Sequence, residues 1–294
     1  MTFTLQLIFA GVCVGATYAL IAIGLTLTFW STRTMNFGQG SLLMVAAVAA
    51  TTLMSAKLSA YAAVPIALLL STVLMILVER IAIRPLARLG GSMGWVVATL
   101  GFGLLLQGIV ARFFGSQAIM FPSLVFGPLD FVTIAGIRVS SQYLTVLACC
   151  IGLMCVMEIF IRRTRWGRAV RAVAHDAEAA AVAGVPVKRV VVASFAASGA
   201  LAGLAGILVS QITGTVEPQF GFNLVILGFV AAVFGGMGSI AGALIGGIAL
   251  GVAEKLAGGF VSTAFGDTMA FAILMAVLAI RPQGLFGRRE ILKV

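Results

Sequence analysis

The sequence predicts an all-α protein, a polytopic membrane helical bundle of 8 to 9 segments with an internal repeat and broken or re-entrant helices. Three observations predict it. Of 294 residues, 61% are hydrophobic and 10% charged, with a mean hydropathy of +1.16, far from the roughly 45–50% apolar and 25% charged usage of soluble domains. Apolar runs close to the length of a spanning helix, about 20 residues, recur along the whole chain. Lysines and arginines gather on alternate connections, as the positive-inside rule requires. A water-soluble globular enzyme is excluded. Nine spans consume roughly 180 positions, so residues 1–294 read as a single transmembrane domain without room for a separate soluble one.

Nine apolar runs follow one another at about 4–29, 38–56, 61–79, 94–114, 142–161, 190–212, 222–235, 239–256 and 266–280. The first residues, Met1 to Ala10, carry no charge, whereas a secretory signal needs a basic region before its apolar stretch; the first run is expected to remain as a helix. The second run opens on Gly38-Gln39-Gly40-Ser41 and the third ends at Arg84-Pro85. The fifth carries Glu158 four residues before Arg162, the spacing of a helical ion pair. The seventh is short and fits either a short span or a re-entrant segment. The eighth opens on Gly236-Met237-Gly238-Ser239, and its Glu254 and Lys255 are expected at an outer, interfacial end. The ninth ends at Arg281-Pro282.

Charge orients the later segments. With all nine runs crossing and the C-terminus inside, 15 cations fall on one side, among them Arg80, Arg84, Arg88, Arg168, Arg171, Lys188, Arg189, Arg288, Arg289 and Lys293, and 4 on the other, Lys57, Arg112, Arg138 and Lys255. The loop 162–189 and the C-terminal tail are therefore expected in the cytoplasm, and 115–141 and 213–221 outside. The side of the N-terminus stays open, because only Arg33 bears on the first crossing. The formal charge of +10 thus reads as topology and not as nucleic-acid affinity.

The two Gly-x-Gly-Ser turns are each followed by an Arg-Pro pair, 46 residues from Gly38 to Arg84 and 45 from Gly236 to Arg281. That spacing indicates a duplicated three-segment unit whose copies run parallel, and repeats of this kind underlie many transporters. Glycines four apart, Gly199 with Gly203, Gly238 with Gly242 and Gly246, and Gly247 with Gly251, suit close helix packing. The turns themselves offer two readings. Two glycines and a small hydroxyl at the head of an apolar run let a helix start inside the membrane with its positive dipole end aimed at a pathway, or they form a tight interfacial turn. On the pathway reading, Gly38, Gly40, Ser41, Gly236, Gly238 and Ser239 are candidates, with the uncharged polar residues Asn36, Gln39, Gln107 and Asn223.

No catalytic set is present, and no metal or cofactor site is expected. The single histidine, His175, lies in the basic loop, and Cys13, Cys149, Cys150 and Cys155 sit in apolar runs without ligand spacing or a disulfide pattern. No lysine follows the Gly-x4-Gly pattern of a phosphate-binding loop. The middles of the runs lack the charges that ion coupling would use. The informative stretch is the inside loop. Read as one helix, Arg168, Arg171, His175 and Glu178 share a face opposite Val170, Val173, Ala177 and Ala180; alternatively Asp176 caps a separate short helix ending at Gly184 before Pro186. Either arrangement lies along the membrane surface, against anionic lipid or against a cytoplasmic partner.

The segment Glu178-Ala179-Ala180-x3-Gly184 resembles the E-A-A-x3-G coupling signature of permease subunits in bacterial ABC importers. Further segments look like the LivH-type permease of branched-chain amino acid importers: Tyr18 to Leu27, Met35-Asn36-Phe37, Arg84-Pro85-Leu86, Gly167 to Ala174, Ala231 to Ser239, and Arg281 to Gly287. They run nearly end to end. One departure stands out, since such permeases read Asn-Phe-Ala-His-Gly where this chain has Asn36-Phe37-Gly38-Gln39-Gly40. The resemblance implies a path-forming subunit of the bacterial inner membrane, with Arg168, Arg171, Glu178, Ala179, Ala180 and Gly184 at the ATPase contact. It also implies a LivM-like second permease, two cytoplasmic ATP-binding subunits resembling LivG and LivF, and a periplasmic substrate-binding protein. Alternatives are a permease for urea, an amide or another amino acid, an ion-coupled secondary carrier, and a non-transporting scaffold.

Overall fold

In hydrocarbon no water satisfies backbone N–H and C=O groups, so apolar runs of this length become helices, which satisfy them internally. The computed structural model of the protein describes residues 2–87, 94–127, 130–134, 137–262, 264–280 and 284–285. All nine apolar runs form helices: α1 (Thr2–Thr32), α2 (Gln39–Ser55), α3 (Ala60–Val78), α5 (Gly94–Phe114), α6 (Ser141–Arg163), α9 (Val187–Thr213), α10 (Phe220–Gly235), α11 (Ile240–Phe260) and α12 (Ala264–Ile280). Short helices α4 (Arg84–Ala87), α7 (Arg165–His175) and α8 (Ala177–Val182), with a π-turn at Glu79–Ile83, complete the helical elements among the described residues. Six of the helices are long and apolar enough to cross a membrane among the described residues, α3 counting together with its continuation to Leu86. α2 and α10 are shorter apolar helices. Hydroxyls within the spans are satisfied locally: Thr26 donates to the Ala22 carbonyl at 2.8 Å and Ser210 to that of Gly206 at 2.8 Å, the i−4 back-bond of helical Ser and Thr.

α1 is the central helix, packed on α6, α9, α10 and α11. Its long contact with α11 is made by glycines. A β-carbon at Gly11 or Gly15 would run into the backbone of α11 near Gly251 and Gly247, and the reverse holds for those two residues. Such small-residue faces let backbones approach where water supplies no hydrophobic drive. Gly199, Gly203 and Gly206 do the same for α9 against α3 and α2. The glycine stripes are packing devices.

α3 does not end at its run. Pro85 has no N–H to donate and its ring crowds the carbonyl four residues back, and the helix widens into a π-turn over Glu79–Ile83 before α4. In an α-helix residues five apart point about 140° from one another; the wider turn brings Glu79 and Arg84 together. The guanidinium donates from Nε to Oε1 at 2.9 Å and from Nη2 to Oε2 at 3.1 Å. A carboxylate only 3% exposed is thereby paired in bidentate fashion, the geometry that offsets its desolvation.

The strands are absent from the sequence reading. β1 (Ile119–Met120) pairs antiparallel with β4 (Thr215–Val216), and β2 (Phe131–Ile134) with β3 (Ile137–Ser140). The first pair ties the α5–α6 connection to the α9–α10 connection, helped by Phe121 N–H to the Gly214 carbonyl at 2.9 Å. The described residues of 115–141, and residues 213–221, therefore share one end of the bundle. α7 and α8 mark the other, where Arg33 at the end of α1 donates to the Ala174 carbonyl at 2.7 Å.

A second correction concerns Glu254. It does not lie at the end of its helix, because α11 continues to Phe260. The carboxylate is 8% exposed and accepts from the Tyr18 hydroxyl at 2.7 Å and from Lys255 Nζ at 3.0 Å. Tyr18 comes from the middle of α1. A charge so enclosed persists because both oxygens are hydrogen-bonded. Glu158 and Arg162 do form the expected ion pair. Arg88, the Arg281-Pro282 pair, Arg288, Arg289 and Lys293 lie outside the described residues.

Candidate functional site

Two features of the bundle bear on transport. The first is where α2 and α10 begin. Gln39, fully buried, donates from Nε2 to the Ile21 carbonyl of α1 at 3.1 Å and accepts from the Ser198 hydroxyl of α9 at 3.1 Å. Those two residues lie eleven positions from the α7 ends of their helices, about 16 Å along either axis. α2 thus starts well inside the bundle. α10 starts beside it: a β-carbon at Gly40 would collide with the Gly221 carbonyl, and one at Gly221 with the Gly40 carbonyl. The N-terminal turns of two short helices meet back to back, which only glycine on both sides permits.

The chain preceding α2 is fitted to that start. Asn36 Oδ1 accepts from Gly38 N–H at 3.0 Å, an Asx turn, while its Nδ2 points to Met75 Sδ at 3.1 Å. Phe37 packs edge-on against Phe229 of α10, with centroids 5.7 Å apart. Ser41, half-buried, donates to the Gly103 carbonyl of α5 at 2.9 Å. Asn36 and Gln39 are enclosed, so their side chains brace the junction. Exposed polar side chains near it come instead from the first turns of α10, Gln219 and Asn223. Asn223 is among the residues read from sequence; Gln219 is not, although Gln219 and Asn223 sit four apart and hence on one helical face. Gln107 on α5 is half-buried.

Gly236, Gly238 and Ser239 occupy the other end of α10. Its fourteen-residue rise from Gly221 to Gly235 is about 21 Å, so the two Gly-x-Gly-Ser turns do not face each other within this chain. Gly236 and Gly238 have φ of 92° and 120°, which a β-carbon disfavours, and Ser239 accepts from Gly242 N–H at 3.1 Å as the N-cap of α11. Gly238 lies near Trp30, on the α7 side of the bundle.

The second feature is the α7–α8 unit. The Asp176 reading holds: its carboxylate accepts from the N–H groups of Glu178 and Ala179, both at 2.9 Å, and the extended Asp176 backbone separates the two helices. Thr164 caps α7 by accepting from Gly167 N–H at 3.0 Å. Val170, Val173 and Ala180 are buried with Val190 against Trp30 and Val185. α7 therefore rests on the ends of α1 and α9. α8 closes with Gly184 at φ 83°, the N–H of Gly184 bonding the Ala181 carbonyl at 3.0 Å and that of Val185 the Ala180 carbonyl at 2.9 Å. This is the paired Schellman ending. Arg168, Arg171, Glu178, Ala179 and Gly184 are exposed, Ala180 is buried. Exposed apolar residues accompany them, Trp166 at 47% and Val182 at 91%; the sequence signal for these was an aromatic and a branched residue inside a charged stretch. Ala177, expected on the buried face, is exposed, because the break at Asp176 resets the helical phase.

Densely packed spans, helices that begin inside the bundle and a capped surface unit joined to the central helices define a polytopic membrane permease. The chain belongs to the family of branched-chain amino acid transport system permease components, matched over residues 7–278. The high-affinity branched-chain amino acid transport system permease protein LivH of Salmonella typhimurium is 35% identical over 304 residues, covering 99% of this chain and 97% of that protein. The corresponding protein BraD of Pseudomonas aeruginosa is 34% identical over 301 residues, covering 99% and 98%. Among solved structures, PsaBC from Streptococcus pneumoniae in complex with Fab matches with a TM-score of 0.51 at 13% identity, over 95% of this chain and 91% of that one, a likeness of fold alone.

Proposed function

We propose that the chain, one transmembrane domain over residues 1–294, is a permease subunit of an ABC importer in the bacterial inner membrane, forming part of a translocation path for branched-chain amino acids. Its end-to-end kinship with LivH, 35% identity over 99% of the chain, carries this reading. Energy comes from two separate cytoplasmic ATP-binding subunits, LivG-like and LivF-like, since the chain has no phosphate-binding loop. A LivM-like permease completes the path and a periplasmic binding protein delivers the solute.

The geometry suits that division of labour. α2 and α10 are read as broken spans, helices that begin inside the bundle and continue to one end, whose starts, with Gln219 and Asn223, border the path, while Asn36 and Gln39 hold the starts in place. The 162–189 unit is read as the coupling loop, with Arg168, Arg171, Glu178 and Gly184 at the ATPase. Force applied there reaches α1 and α9 through Val170, Val173 and Val190, and both helices hydrogen-bond Gln39. An ATP-driven shift of α7–α8 is thus transmitted to the junction without a long-range relay. The internal repeat gains support from direction: α2 and α11 both run away from the α7 end, and α3 and α12 both return. The 8 to 9 segments are then six full spans, α12 and the two broken spans.

Isolating the binding protein that stimulates the assembled transporter, and measuring which solutes raise its melting temperature, tests the substrate. Leucine, isoleucine and valine at about 100 times their Kd should stabilise it by about 2.7 kcal/mol. Stabilisation by urea or a short amide alone would remove the substrate assignment and leave the permease standing.

A further inference from the structure

At the α7 end of the bundle, between the π-turn and the start of α9, lies an open pocket of about 370 Å³ lined by Arg80, Arg84, Lys188, Arg189, Val192 and Ala193. Four cationic residues line it, and among the described residues one of them is neutralised. Arg84 is held by Glu79; among the described residues Arg80, Lys188 and Arg189 make no ion pair. Lys188 and Arg189 also stand in the first turn of the 27-residue α9, where the helix dipole is positive and cations are disfavoured. Unfavourable charge of this kind is relieved by a bound anion.

The surroundings name its class. Directly along α3 from Arg80, the exposed side chains are apolar for several turns: Leu69 at 67%, Val73 at 53%, Leu77 at 40% and, beside Arg80, Ile81 at 59%. The pocket itself is lined also by Val192 and Ala193. An apolar stripe ending in a cationic pocket matches a molecule with hydrocarbon chains and an anionic head. We propose that this pocket binds the phosphodiester headgroup of an anionic phospholipid, whose acyl chains lie along the exposed face of α3. Basic pockets between spanning helices hold lipid headgroups in this way. The site is separate from the α2–α10 junction and does not depend on which solute is carried.

Native mass spectrometry of the assembled transporter, equilibrated with equal amounts of phosphatidylglycerol and phosphatidylethanolamine, tests it. The comparison is with the Arg80→Gln, Lys188→Gln, Arg189→Gln triple variant, which leaves the Glu79–Arg84 pair intact. The wild type should retain phosphatidylglycerol over phosphatidylethanolamine by about tenfold or more, and the variant should lose that preference, since each surface cation contributes several-fold. Millimolar inorganic phosphate should not displace the lipid. Equal retention by both proteins overturns the proposal. Displacement by inorganic phosphate would make the pocket a free-anion site, and loss of the ATP-binding subunits with lipid retention unchanged would make it a protein-docking surface; either result also overturns it. Should the triple variant fail to assemble, Arg80→Gln alone should still weaken the preference several-fold while Arg80→Lys preserves it, and a wild-type preference in Arg80→Gln would count against the lipid.

Discussion

Gln39 concentrates the structural argument in one residue. Its amide joins three helices, donating to Ile21 on α1 and accepting from Ser198 on α9 while opening α2. Buried polar groups left without a partner cost about 1–3 kcal/mol each. Gln39→Leu would strand the Ser198 hydroxyl, destabilise the purified protein by that order and lower its thermal unfolding midpoint. Gln39→His keeps one donor and one acceptor, so it should unfold near the wild-type temperature and retain uptake. A leucine variant as stable as wild type would show the amide to be dispensable. The sequence marks Gln39 as a polar residue at a special turn and as a departure from the family histidine, but it does not reveal enclosure, because the partners are 18 and 159 residues away. Glu254 is illegible for the same reason. Its phenolic partner Tyr18 is 236 residues distant, and a run judged to end near Leu256 hides the last turn of α11.

Among the elements, α8 is the one most fully legible in sequence, and the physics explains why. Its start at Asp176 and its end at Gly184 are set by contacts between residues two to five apart, so local chemistry suffices. Gly184 adopts φ 83° with open space around its α-carbon; substitution there meets backbone strain and no collision. Asparagine tolerates that conformation, whereas a β-branched residue does so only at a cost of about 1–2 kcal/mol or more. In the reconstituted transporter Gly184→Asn should keep substrate-stimulated ATP hydrolysis within about a factor of two, and Gly184→Val should lose about tenfold or more, with membrane insertion of both unchanged. Hydrolysis unaffected in the valine variant would place coupling elsewhere, first around Arg84. The π-turn and the β1–β4 pair were not legible. The first depends on how a continuing helix accommodates Pro85, the second on two residues of one loop meeting two of another about a hundred positions later, with no periodic pattern to announce either.

For the whole molecule, the cation count and the connectivity are independent constraints that agree. The strand pair β1–β4 places the α5–α6 and α9–α10 connections, over their described residues, at one end, and α7, with Arg33 and Trp30 beside it, occupies the other. Counting back from α9 through α6, α5, α3 and α2, the chain alternates between these ends, so that α1 begins at the β1–β4 end. That settles within the bundle what Arg33 alone left open for the N-terminus. The remaining question is which end meets the cytoplasm, and the positive-inside rule answers it through the arginine-rich α7 end. Cys13 and Cys150 are buried while Cys149 and Cys155 are exposed on α6, so all four are replaced before single cysteines are introduced. Asp130 and Arg171 are both exposed and make suitable positions. In intact cells an impermeant thiol reagent should label Asp130→Cys and leave Arg171→Cys unlabelled until the membrane is permeabilised. The reverse pattern would invert the molecule, setting α7–α8 outside, where no ATP-binding subunit could reach them, and with that the coupling role of Gly184 would fall as well.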